Sequence, residues 1–489
     1  MRTSGPSRSS GRLAAVLALV LTVGVCCAHP LFAEALHTAQ SSATTAATDV
    51  DSARSNTVSS TPPFAVFGYL PEYRQLRFDY EAVFRCGLTH LIFFSSEVDP
   101  TSLQLTHVDD RLPSREKWKA IRELANTYGV KLLMCIGGGG RSAGFPRLVA
   151  DVLARRRFIN EVSRVLQDRE LDGVDFNWEY PSSMTEWLSF GQFLTELRSA
   201  LDDASAGGLG HRNRLRPALI TMALHPHPSI PHVLHASRVL PSLDYLHWMA
   251  YDHIVANDSH SSVAYAASVL QDDMIGGLDG AMYRARREKN RRRVHGVAEA
   301  SAAAAAGDST AVSRGSHELD HRRKLCLGIP FYGRHREDMR VPPESYEHLW
   351  QFLRQWALKH HPDWVEGGPE LRALSSYAGY GYNGYDDVKR KMRLARSSGI
   401  GGIMIWELGQ DVPPGTSPMS LMAAVREQLA DWREGTASTA AGSNEQLLTA
   451  RQDHSRKNTA TSPQLSATPR RRIENTTGLL AKDDAEADL

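Results

Sequence analysis

The sequence predicts an α/β fold of the (β/α)8 or TIM barrel class. Three observations lead there: short apolar runs alternate with amphipathic stretches through the middle of the chain, the runs number eight, and the fourth alternates polar with aromatic side chains. Strand-like runs separated by helix-like stretches are the pattern of repeated βα units, and eight such units close into a barrel.

The runs are Phe64 to Tyr69, His90 to Ser95, Lys131 to Ile136, Asp172 to Trp178, Leu219 to Leu224, Asp244 to Ala250, Leu325 to Pro330 and Gly402 to Trp406. Between them, Phe158, Ile159, Val162, Val165 and Leu166 share one helical face, as do Trp187, Phe190, Phe193, Leu194, Leu197 and Leu201. After the seventh run only a helix from Tyr346 to His360, a Gly-rich turn and a final helix from about Asp386 to Ser398 are expected, with no substantial α+β insertion between strands seven and eight. That absence predicts a shallow, open cleft.

The barrel should occupy residues 64–434 as a single domain. Ahead of it, Arg2, Arg8 and Arg12 precede an apolar run from Leu13 to Ala28 and small residues through Ala33, the layout of a secretory signal over residues 1–33. The run is short for a membrane span, which needs about 20 residues, although an uncleaved anchor is the competing reading. No second candidate span follows, so a secreted, extracellular protein without a stable membrane span after signal removal is expected.

Residues 34–63 are rich in Ser, Thr and Ala and read as a flexible leader, and residues 435–489 as a disordered tail. Residues 254–320 interrupt the βα rhythm with the basic run RARREKNRRR (284–293) and an Ala302 to Ala306 tract, which reads as a disordered basic insertion. Sequons at Asn257 and Asn475 fall in expected loops.

Of 489 residues, 56 are Lys or Arg and 55 Asp or Glu, so no overall field draws the chain to nucleic acid or anionic lipid, and a neutral polymer is a compatible partner. Export would leave Cys86, Cys135 and Cys326 in or beside apolar runs, too few for a disulfide scaffold and read as buried free thiols. A monomer is expected, with no cofactor and no metal.

Chemistry concentrates in DGVDFNWEYP, Asp172 to Pro181. Successive strand side chains alternate faces, so Asp175, Asn177 and Glu179 share one side while Phe176 and Trp178 take the other. With the aromatics against the helices, three polar side chains point into the lumen and its mouth, where they must pair with one another or with a ligand. A carboxylic acid in a low-dielectric mouth tends to stay protonated, which suits a general acid, and Glu179 lies nearest the strand's C-terminal end. A structural network closing the barrel and a cation site are the competing readings.

The same segment resembles the DGxDxDxE signature of family 18 glycoside hydrolases, the chitinases and their relatives. FGYLPEY (67–73), KLLMCIGGGG (131–140), WMAYD (248–252), GIPFYGR (328–334) and GGIMIWELGQD (401–411) are similar to the family's first, third, sixth, seventh and eighth strand motifs, so the resemblance covers about residues 64 to 432. Several motifs in barrel order are far more specific than a lone DxxDxxxE.

The resemblance implies retaining, substrate-assisted hydrolysis of β-1,4-linked N-acetylglucosamine polymers such as chitin, outside the scheme of two protein carboxylates. Glu179 would be the acid, Tyr251 would hold the acetamide that acts as nucleophile, and Asp252 would support the sugar and Glu179. Trp406 would floor the sugar subsite, with Tyr69 and Asp175 behind. Met222, Met249 and Tyr332 are further candidates for the pocket floor, with core packing favoured at those three.

Two positions depart from the family pattern: Asn177 replaces an aspartate and Cys135 a serine. Asn177 cannot ionise, but it can mimic a protonated aspartate by donating to Asp175 and accepting the acetamide N–H. A slowed chitinase, cutting within chains across its open cleft, is therefore expected. The alternatives are a lectin-like barrel that binds N-acetylglucosamine oligomers without cutting, and an endo-β-N-acetylglucosaminidase or peptidoglycan-directed hydrolase.

Overall fold

Eight parallel strands close on themselves in a computed structural model that describes residues 64–206, 217–253, 260–271, 278 and 321–435. They are β1 (Ala65–Pro71), β2 (His90–Val98), β3 (Lys131–Gly137), β4 (Gly173–Asn177), β5 (Leu219–Leu224), β6 (Tyr245–Trp248), β7 (Leu325–Pro330) and β8 (Gly402–Trp406). Each pairs with its neighbours in order, and β1 meets both β2 and β8 to close the ring. The eight-stranded barrel read from the sequence is the fold. The expected signal, leader, tail, basic run 284–293 and both sequons lie outside the described residues.

Strand parity builds two cores. Val66, Leu132, Val174, Phe176, Ile220 and Ile403 face the helices, while Phe67, Tyr69, Leu133, Cys135, Ala223 and Met404 fill the barrel. Outside β4, Phe176 and Trp178 pack against Phe145 and Phe190 at ring separations of 5.3 to 6.5 Å. Burying each such ring is worth about 1.5–3 kcal/mol, so the register that puts Asp175 and Asn177 inside is set largely by the aromatics outside.

The helices start where short polar side chains take up their first amides: Asp79 accepts from Ala82 N (3.0 Å), and Asp151 from Leu153 N (2.8 Å) and Ala154 N (3.0 Å). Helix Val152–Asp168 buries Phe158, Ile159, Val162 and Leu166, and helix Met184–Ala206 buries Trp187, Phe190, Phe193, Leu194, Leu197 and Leu201, the faces the periodicity predicts. Cys86, Cys135 and Cys326 are free and buried.

Two expectations need correction. Between β7 and β8, strands Tyr332–His335, Glu344–Ser345, Ser376–Tyr377 and Tyr380–Gly381 form a small antiparallel sheet beside helix Tyr346–His360. The insertion is small, but it is an α+β module. Strands of two to four residues are too short to show a period of two, and they exist through pairings such as Tyr380 with His335 that only the fold creates. Its first strand reaches the barrel mouth, where Tyr332 and Arg334 meet Asp252. Likewise, residues 260–271 of the expected disordered insertion are structured: helix Val263–Val269 is capped by Ser262, which accepts from Tyr265 N (2.9 Å), and it buries Ala266 and Val269.

Candidate active site

Asp175, fully buried on β4, is held by donors from three other strands. Tyr69 Oη on β1 donates to Oδ2 (2.8 Å), Thr221 Oγ1 on β5 donates to Oδ1 (2.5 Å), and the Cys135 thiol, its register partner on β3, adds a third hydrogen bond. Burial raises the Asp175 pKa, and the hydrogen bonds from Thr221, Tyr69 and Cys135 work against that rise. Beneath them, His247 on β6 places Nδ1 3.0 Å from Tyr69 Oη. Burial pushes this histidine down to about 3, so its ring is neutral at ordinary pH.

Asn177, one inward step along β4, does not donate to Asp175 as expected. Its Nδ2 donates to Glu179 Oε1 (2.9 Å), and its Oδ1 is buried with no hydrogen-bond partner among the described residues. The reason is competition: three donors already surround Asp175, whereas Glu179 at the rim has room to accept from Asn177 beside the Tyr180 hydroxyl. The half-buried Glu179 is fixed through its backbone, with its N–H donated to Ser142 Oγ (3.1 Å), which in turn donates to Gly138 O (3.1 Å). Gly138, just after β3, is a steric requirement: it has φ +111°, and a Cβ there would lie 2.3 Å from the Phe94 ring.

Beyond β6, Tyr251 and Asp252 reach the same mouth. Burial, then the charges of Asp252 and Glu179, raise the Tyr251 pKa well above the usual phenol range, so the hydroxyl is a committed donor. Asp252 Oδ1 accepts from Tyr332 Oη (2.9 Å) and Arg334 Nε (2.8 Å). Its burial opposes ionisation, but contacts from His260, Arg334 and Tyr332 outweigh that and hold its pKa well below the carboxylate range. Support for Asp252 thus comes from the inserted module and from His260.

The partly exposed Trp406, at the end of β8, packs against Tyr69 (ring centroids 5.4 Å) and Phe94 (4.7 Å). Met249 and Tyr332 join Tyr69, Tyr251 and Trp406 in the inner cluster. Met222 does not: as a candidate pocket residue it is corrected, because the parity that turns Thr221 and Ala223 inward turns Met222 into the outer core.

Sequence reasoning missed Thr221 and His247, although both lie at inward positions of their strands and parity could have found them. Arg334 and Ser142 had no such signal, since their roles depend on how loops fold. The arrangement can donate a proton at Glu179, accept an N–H at Asn177, donate a hydrogen bond at Tyr251 and offer an aromatic floor at Trp406.

The model of the glycosyl hydrolases family 18 matches residues 65–411. A class V chitinase from Arabidopsis thaliana is 26% identical over 351 residues, 67% of this chain and 82% of that protein. Among solved structures, a family 18 chitinase from Cycas revoluta in complex with (GlcNAc)3 matches with TM-score 0.51 and 19% identity over 75% of this chain and 99% of its own. A chitinase-like agglutinin from Robinia pseudoacacia matches with TM-score 0.51 and 17% identity over 74% and 98%, so the shared fold alone does not distinguish cutting from binding.

Proposed function

The chain belongs to the glycosyl hydrolases of family 18, and on that premise we propose that it is a secreted, monomeric hydrolase of β-1,4-linked N-acetylglucosamine polymers, working with the substrate's own acetamide as nucleophile. The observation that carries this reading is the buried, unpartnered Oδ1 of Asn177 beside the half-buried Glu179. An unpaired acceptor in that setting costs about 1–3 kcal/mol unless a ligand supplies a donor, and an acetamide N–H is a donor of the right kind.

With the acetamide N–H on Asn177 Oδ1 and its oxygen steered by the Tyr251 hydroxyl, that oxygen bonds to C1 as Glu179 gives its proton to the glycosidic oxygen. The C1–O bond breaks, the leaving sugar departs as an alcohol, and an oxazolinium ion remains. Water then attacks C1, Glu179 takes its proton, the ring reopens, and two inversions leave the configuration retained. The negative charge of Asp252 lies close enough to Tyr251 to favour the developing cation, while Asn177 adds none, so turnover is slow.

Fluorophore release from an aryl chitobioside by the wild type but not by Glu179→Gln is the expected result. A second reading, a lectin-like binder, is favoured by the non-ionisable Asn177; oligomer binding by both proteins with release by neither would establish it. Digestion of colloidal chitin beside a glycoprotein and a cell-wall preparation separates the possible polymers.

A further inference from the structure

Extending the hydrolase reading, on which it rests, we infer that His225 and Tyr180 form the platform for the departing sugar, with a ring nitrogen of His225 accepting a hydrogen bond from one of that sugar's hydroxyls. His225 immediately follows β5, at the C-terminal rim between the strand carrying Glu179 and the strand carrying Tyr251. Its ring packs at 5.8 Å against Tyr180, the residue after Glu179, and at 6.3 Å against Tyr251. Tyr180 is 45% exposed, an open aromatic face directly beside the proton donor.

The chemistry of the ring fits an acceptor. One ring nitrogen is tied to the Met249 backbone. Burial lowers the His225 pKa despite the nearby charges of Glu179 and Asp252, so the ring is neutral and its other nitrogen carries a lone pair. Position supplies the side of the cut. Trp406 and Tyr69, on β8 and β1, lie across the barrel from β5, under the sugar whose C1 reacts; the glycosidic oxygen faces Glu179, and whatever leaves with that oxygen passes over Tyr180 and His225. A hydroxyl-bearing group leaving there finds both an aromatic face and an acceptor.

The test compares two leaving groups. An aryl chitobioside releases a planar phenol without sugar hydroxyls, whereas a chitin tetramer releases a sugar. For His225→Phe, which keeps a ring but loses the nitrogen, the ratio of tetramer to aryl-glycoside kcat/KM should fall about tenfold, because a site built to bond a hydroxyl discriminates strongly once its partner is removed. His225→Asn, which keeps a hydrogen-bonding side chain, should restore part of that ratio, and melting temperatures identify any variant that has not folded. Equal losses on both substrates, or no change on either, overturn the inference. Absence of cleavage by the wild type overturns the hydrolase reading instead, and this inference with it.

Discussion

Asn177 donates its side-chain amide to Glu179 across 2.9 Å, while Asp175, two residues earlier on the same strand, is bonded to Tyr69, Thr221 and Cys135. Glu179 and the inner carboxylate are therefore wired separately, each to its own donors. No proton can pass between 175 and 179 through an ionisable group at 177.

Replacing Asn177 by Asp tests the consequence. The variant should raise kcat on an aryl chitobioside by roughly 10² to 10³, since it restores a negative group beside the developing cation. It also exchanges the amide that donates to Glu179 for a carboxylate. An unchanged kcat would refute a charge role for position 177.

Tyr69→Phe removes one hydroxyl that serves two buried partners, Asp175 Oδ2 and His247 Nδ1. Leaving such groups short of a partner should cost about 1–3 kcal/mol in urea unfolding, with a fall in kcat larger than the change in KM. An unchanged unfolding midpoint would mean that the barrel floor does not depend on this hydroxyl.

Met222 and Met249 separate packing from pocket. Met222→Ala should lower stability by about 2–5 kcal/mol while the kcat/KM of the folded fraction stays at the wild-type value, because that side chain lies in the outer core. Met249→Ala, in the inner cluster, should raise KM. The reverse pattern in steady-state kinetics would place the inward face of β5 one residue out of register.

Glu407 predicts a stability profile. Burial pushes its carboxyl up to about 7 in the fold, against the charge of Arg74 and the hydrogen bond from Gly409 N. An unfolded glutamate titrates near about 4.3. The folded form therefore holds the proton more tightly, so its stabilising contribution is complete below pH of about 4 and is lost as pH rises toward about 7. Asp411, also raised to about 7 by burial, adds a contribution of the same sign. Glu407→Gln should flatten the decline in melting temperature between those limits; an unchanged slope would show that Glu407 does not titrate there.

Reading the chain locally went far at the catalytic strand and less far around it. Glu179 at the rim and Phe176 and Trp178 outside follow from a period of two, and so does Met222 facing outward. Arg334 could not be read, because it meets Asp252 only after residues 332–335 pair with 344–345 and 380–381. The partner of Asn177 was misread because its choice between Asp175 and Glu179 depends on hydroxyls from β1 and β5, which lie 106 and 46 residues from Asp175.

Eight strands and the family were legible in the sequence alone, since apolar periodicity and strand parity are properties of neighbours along the chain. Tertiary structure decided the rest: who bonds Asp175, what holds Asp252, and that a small sheet stands beside the mouth. Hydrogen bonds are short and directional, and groups far apart in sequence compete for the same acceptor only once the barrel has closed around them.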